Sequence, residues 1–69
     1  MENVNYNLVK LLQAKMDNVW RLSKYYINDA KEVQCQSASA LEKILEEEKG
    51  HIEMLKKEMK KRIEGEVFN

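Results

Sequence analysis

Apolar residues recur in steps of three and four along two stretches of this 69-residue chain, and this periodicity constrains the fold more than any other feature. Such spacing places side chains on one face of an α-helix. The first stripe, in which one lysine interrupts the apolar residues, comprises Val4, Leu8, Leu11, Leu12, Lys15, Val19, Leu22, Tyr26, Ala30 and Val33. The second comprises Leu41, Ile44, Leu45, Ile52, Leu55 and Met59. With no proline and two glycines, the chain favours long, uninterrupted helices.

The periodicity predicts an all-α chain with one domain, residues 1–69. Its parts are a helix over about 5–33, a turn over about 34–38, a helix over about 39–64 and a tail over 65–69. Gly65 suits the position just after a helix, and the cations before it complement the negative end of the helix dipole.

Short polar side chains mark the predicted helix starts. Asn3 or Asn5 can cap the first helix by accepting a hydrogen bond from a free backbone N–H. Ser39 and Glu42 have the spacing of a capping box at the second helix, with Ser37 as a rival cap.

A short connection between two long helices predicts an antiparallel helical hairpin. Two helices cannot enclose a core, so the simplest solution is a homodimer that forms a four-helix bundle. A long exposed hairpin and a segment that docks onto a different protein are the alternatives.

Composition narrows the function classes. Twelve basic and twelve acidic residues balance, which argues against a nucleic-acid partner. The sequence has no run of about 18 apolar residues, so we expect no membrane span. It has no basic region followed by an apolar stretch, so we expect no signal peptide. The single cysteine, Cys35, suits a reducing compartment, so we expect a cytoplasmic protein.

Glu48 and His51 carry the main chemical signal. They lie three residues apart on the second apolar stripe, and residues at this spacing share a helix face. A charged group on a packing face costs free energy unless it is paired or binds a metal. Either Glu48 and His51 are metal ligands, or another charge meets them in the core.

Other residues favour structural roles. Tyr26 and Met54 are predicted to fill the core, and Trp20 is predicted to extend the dimer contact. No serine or cysteine has an evident base partner and no glycine-rich phosphate loop occurs, so no catalytic residue is assigned. Whether the chain is an enzyme stays open.

Three features together suggest a family: the opening segment 7–10, the short turn, and the Glu48-Lys49-Gly50-His51 segment followed by Glu53-Met54-Leu55. Over residues 7–59 the chain resembles one helical hairpin of a rubrerythrin-type, ferritin-like four-helix bundle. The resemblance implies that each hairpin contributes a first-helix glutamate and an E-x-x-H pair, and that two hairpins enclose two iron or manganese ions. A single hairpin would complete such a site by dimerising, with iron, manganese or zinc as the cofactor.

The chain departs from this family at Lys15, which occupies the position of the first-helix glutamate. Lysine is a poor metal ligand because its ammonium group must first lose a proton. Asp17 lies on the wrong face of the helix, and Glu2 is too near the terminus. Each hairpin therefore provides at most two of the family's three ligands.

The same lysine suggests an alternative without metal. In an antiparallel hairpin with a turn near residues 32–35, Lys15 lies level with the segment from Glu48 to His51. A Lys15–Glu48 ion pair could occupy the place of the metal site and define the register of the helices. A surface position for both Glu48 and His51 is the third placement.

Three functions follow from these placements. The first is a ferritin-like dimer that binds a divalent metal through Glu48 and His51. The second is a structural or protein-interaction hairpin with a Lys15–Glu48 ion pair and no metal. The third is a hairpin that inserts its apolar stripe among the helices of another protein.

Overall fold

The computed structural model describes residues 3–65 and contains two helical arms joined by a short connection. The first arm consists of α1 (Asn3–Arg21), a π-helical segment (Leu22–Tyr26) and α2 (Ile27–Glu32). The second arm is α3 (Ser37–Glu64). No strand occurs among these residues, and the predicted all-α hairpin is confirmed.

Polar contacts between the arms demonstrate that they are antiparallel. They lie at the open end of the hairpin, near its middle and near the connection, and they join Asn5 to Arg62, Lys15 to Glu48, and Lys31 to Glu42. Low residue numbers in one arm meet high numbers in the other throughout.

The connection makes a tight turn without glycine or proline. Gln34 adopts a left-handed backbone conformation, with φ of 55°. The N–H of Cys35 donates to the carbonyl of Ala30 at 2.8 Å and thereby closes the end of α2. A non-glycine residue with positive φ is uncommon, which explains why residue types alone mark this turn weakly.

The predicted capping box at Ser39 is wrong. α3 begins at Ser37, and Gln36 precedes it without a side-chain cap. Ser39 lies inside the first turn, where its hydroxyl donates to the carbonyl of Gln36 at 3.3 Å. The turn therefore ends earlier than the capping pattern suggested.

The π-helical segment shifts the inward face of the first arm. Leu22, Ile27 and Ala30 are buried, so one inward step spans five residues instead of four. A π turn has i→i+5 hydrogen bonds and produces this shift. Tyr26, which the regular pattern assigned to the core, is instead exposed.

The hairpin is long and thin. It extends 49 × 16 × 14 Å, and its radius of gyration is 15.4 Å, against about 11 Å for a compact chain of this length. Among the described residues, the buried apolar side chains are Leu22, Ile27, Ala30, Ile52 and Leu55. A core this small covers one strip of each arm.

Many large apolar side chains, including some members of the predicted stripes, are exposed because each arm has only one neighbour. Met54, predicted as core filler, is 66% exposed. The large apolar residues that remain exposed are Val4, Tyr6, Leu11, Met16, Trp20, Tyr25, Tyr26, Val33, Ile44, Met54 and Ile63.

The second arm ends with a basic last turn, and Gly65 follows it. The N–H of Gly65 donates to the carbonyl of Lys61 at 2.9 Å, with φ of −81°, so the end of this helix does not use a left-handed glycine. The rest of the predicted tail, residues 66–69, lies outside the described residues. Within residues 3–65, none of the helices combines the length and apolar character needed to cross a bilayer.

The π-helical register can be tested at Ile27. Replacing Ile27 with alanine is expected to lower the free energy of unfolding by about 2–4 kcal/mol, because the buried side chain leaves a cavity. The matched change Val33→Ala, at a residue that is 75% exposed, should cost less than about 0.5 kcal/mol. Urea unfolding measures both, and equal losses would contradict the shifted register.

Candidate functional site

An ion pair between Lys15 and Glu48 joins the two arms near the middle of the hairpin. The ammonium Nζ of Lys15 in α1 donates to Oε1 of Glu48 in α3 at 2.9 Å. The side chains are 22% and 11% exposed, respectively, so water reaches the pair only in part. The ion pair considered from the sequence is therefore present.

Helix periodicity explains why these two charges meet. Lys15 follows Leu12 by three residues and precedes Val19 by four, so it lies on the inward stripe of α1. Glu48 lies between Leu45 and Ile52 on the inward stripe of α3. Because the pair is partly buried, its net contribution to stability is small, since desolvation of both charges offsets much of their attraction.

The second carboxylate oxygen of Glu48 is an unsatisfied acceptor. Oε2 is buried and has no hydrogen-bond partner among residues 3–65. Buried polar atoms normally have a partner, and each exception calls for a physical explanation. The Glu48 carboxylate therefore retains capacity for a further donor or a cation.

His51 lies one helical turn after Glu48, at the rim of the site. Its Nδ1 is 3.9 Å from Oε1 of Glu48, which is longer than a hydrogen bond, and its side chain is 49% exposed. The structure thus brings Glu48 and His51 close together, but it places only Glu48 on the packing face.

A single hairpin does not fit a metal ion. Among the described residues, no three histidine, cysteine or acidic side chains converge on a common point. The ammonium of Lys15 also occupies the carboxylate oxygen nearest His51. Two copies of Glu48 and two of His51 would be needed to make four ligands, which a structural zinc ion usually has.

Lys15, one member of the ion pair, forms part of the wall of an open groove between the arms. Leu11, Lys15, His51, Met54 and Leu55 line this groove, which has a volume of about 320 Å³. Apolar side chains provide most of its surface, and Lys15 and His51 are its polar members. The candidate site therefore opens to the outside through an apolar surface.

Sequence reasoning missed the polar contact at the open end of the hairpin. Asn5, considered as a helix cap, is fully buried inside α1, and its Oδ1 accepts a hydrogen bond from Nε of Arg62. Arg62 was assigned only to the helix dipole. An asparagine three residues before Leu8 on the inward stripe was the available signal.

Cys35 is an exposed thiol in the connection. Hydrogen bonds from the side chain and backbone of Ser37 lower the pKa of this thiol below its ordinary value. Cys35 lies at the closed end of the hairpin, away from the residues that line the groove.

Comparisons of the chain with protein-family models, curated proteins and solved structures find no match. The resemblance to rubrerythrin-type proteins therefore stays a prediction based on the residues quoted for it.

Removal of Glu48 tests the ion pair. Glu48→Ala should lower the free energy of unfolding by about 1–3 kcal/mol, because it leaves the ammonium of Lys15 unpaired in a partly buried place. The control Glu46→Ala breaks an exposed pair with Lys49 and should cost less than about 0.5 kcal/mol.

A double variant separates pairing from packing. Lys15→Met combined with Glu48→Leu replaces both charges with apolar groups of similar size, and it is expected to be at least as stable as the natural chain in urea. A loss as large as that of Glu48→Ala alone would argue that the charges themselves stabilise the hairpin.

Proposed function

We propose that this chain is a protein-interaction hairpin that pairs with a second copy to form a four-helix bundle of ferritin-like character. In this bundle the Lys15–Glu48 ion pair takes the place that a metal site has in the family that the chain resembles. The function proposed is assembly and not catalysis.

The observation that carries this proposal is the imbalance between buried and exposed apolar side chains. Five apolar side chains are buried among residues 3–65, whereas eleven large ones are exposed. Each of these side chains is already partly covered, so burying the rest of it would contribute less than the about 1.5–3 kcal/mol that full burial of an exposed apolar side chain gives. A hairpin of this size is marginally stable alone, and assembly is one of the few ways to increase its buried area.

The shape of the hairpin suits such a pairing. Its broad side measures 49 × 16 Å, close to the area of about 800 Å² that each partner buries in a standard protein interface. The chain has no net charge, so long-range repulsion does not oppose the approach of a second copy.

The Lys15–Glu48 ion pair adds specificity to the fold of each hairpin that takes part in this assembly. A partly buried ion pair contributes little net stability, but its loss is costly when the arms slide out of register. Because it lies between otherwise apolar positions, it favours one alignment of α1 against α3 over shifted alignments.

Solution mass tests the proposal. At about 100 μM, within the range where weak homodimers form, sedimentation equilibrium should give twice the chain mass of 8.2 kDa. The midpoint of urea unfolding should also rise with protein concentration, because folding is then linked to association. A single species of 8.2 kDa with a concentration-independent midpoint would refute self-association.

Divalent-metal binding across the dimer is a second candidate. The unsatisfied Oε2 of Glu48 and the nearby imidazole of His51 favour it. A dimer would offer two carboxylates and two imidazoles, a set that suits zinc and, with open positions, iron or manganese. The ammonium of Lys15 opposes a cation at the same carboxylate.

Lys15→Glu tests this candidate directly. The change removes a cation and adds a carboxylate beside Glu48, so the affinity for Zn²⁺ or anaerobic Fe²⁺ should rise at least about tenfold, the scale on which even supporting residues act. Calorimetry and elemental analysis on untagged protein measure it. Lys49→Glu makes the same charge change at an exposed position and should have no such effect. Equal affinity in the two variants would exclude a metal site that lacks only one carboxylate ligand.

A further inference from the structure

The hairpin presents two different surfaces, one on each side of the plane that contains the two arms. Leu11 and Met16 are five residues apart in α1, about 140° around the helix, with the half-buried Leu12 between them. They therefore lie on opposite sides of the inward stripe. We call the side with Leu11, Lys15, Ile44, His51 and Met54 the groove face. We call the side with Met16, Trp20 and Tyr25 the aromatic face.

The side chains of the aromatic face contact one another, although each stays about half exposed. The rings of Trp20 and Tyr25 contact each other edge to face, with centroids 5.4 Å apart. The ammonium of Lys24 lies 5.2 Å from the Trp20 ring centroid and 5.9 Å from that of Tyr25. The π-helical turn makes this cluster, because it brings residues five apart onto one side of the helix. These rings already have partners and a charged group above them.

The groove face has the opposite character. Its groove of about 320 Å³ is mainly apolar, with walls that include Leu11, Met54 and Leu55. The larger cavity of about 670 Å³ beside Met16 is lined mainly by polar side chains, those of Lys10, Gln13 and Asp17. Ile44 lies seven residues before His51 and extends the same face toward the connection. The buried carboxylate of Glu48, which lies beside this face, is already paired with the ammonium of Lys15. Covering a neutral, apolar and concave surface gives the largest gain in the free energy of association.

We propose that the groove face is the surface on which the second copy docks, while the aromatic face stays exposed to solvent. This inference rests on the self-association proposed above and specifies its surface. The occupant is a second copy because the groove carries no excess charge that would select an acidic or basic partner, and because one broad side has the area of a dimer contact.

The docking has a consequence for the ion pair. In a two-fold symmetric contact, the same face of both copies is covered. The groove residues Lys15 and His51 then lose contact with water, and both copies of the Lys15–Glu48 pair become fully buried. Because each pair lies within one chain, docking buries two charges that are already paired and not an isolated charge, which limits the desolvation cost.

The chain carries one natural reporter on each face. His51 is its single histidine and Trp20 its single tryptophan. Modification of His51 by diethyl pyrocarbonate therefore reports on the groove face, and quenching of tryptophan fluorescence by iodide reports on the aromatic face. Both are measured on the natural chain, in the presence of a chelator, across the concentration range of association.

The expected result is protection of His51 alone. At a total concentration ten times the dissociation constant, about one fifth of the chains are monomeric, so His51 modification should slow about fivefold relative to the dilute protein. Quenching of Trp20 should not change over the same range. Protection of Trp20 without His51, or of both, would overturn the assignment.

Matched variants give an independent measurement. Leu11→Glu and Met16→Glu place the same charge at residues of similar exposure on opposite faces. Leu11→Glu should abolish the dimer in sedimentation, whereas Met16→Glu should leave it intact. Circular dichroism of each variant establishes that its helices are retained. A dimer that survives Leu11→Glu, or is lost with Met16→Glu, would contradict the groove face.

The design separates the two proposals. If the natural chain is monomeric at all concentrations, self-association itself fails, and the docking surface fails with it. If the natural chain is dimeric but His51 stays reactive, the function stands and only the groove face is overturned. If His51 is protected only when the chelator is omitted, a metal ion accounts for the protection and the metal-free contact is refuted.

Discussion

Two helices in contact can bury only one strip of each, and the rest of this structure depends on that constraint. The hairpin has a small apolar core, an elongated shape and large apolar side chains on both of its sides. Residues 3–65 leave these surfaces uncovered, which is why association is central to the function proposed for the chain.

The Lys15–Glu48 ion pair is the chemical centre of the hairpin. The resemblance predicts a first-helix glutamate at the position of Lys15, whereas the ammonium of Lys15 places a positive charge beside Glu48. The unsatisfied oxygen of Glu48 and the nearby His51 keep some features of a ligand set. Whether the pair serves as a register contact or as part of a weak metal site depends on what a second copy contributes.

The π-helical segment gives the two sides of the hairpin different characters. By inserting one extra residue between Leu22 and Ile27, it keeps the inward stripe continuous past the middle of the arm. The same turn moves Tyr26 out of the core and brings Trp20 against Tyr25. One local change in helix geometry thus accounts for the aromatic cluster and for the exposure of Tyr26.

The sequence by itself determined the two helices and their antiparallel pairing, and it placed Lys15 level with Glu48, because these follow from a regular three-and-four spacing and a short connection. That the two charges form an ion pair was decided by the tertiary structure. Only the tertiary structure decided that Ile27 replaces Tyr26 in the core, that Asn5 is buried against Arg62, and that His51 lies at the rim. Spacing defines the direction of a side chain around its own helix. Exposure depends also on how far the neighbouring arm extends over it and on any local change of helix type, and neither quantity is encoded in the periodicity.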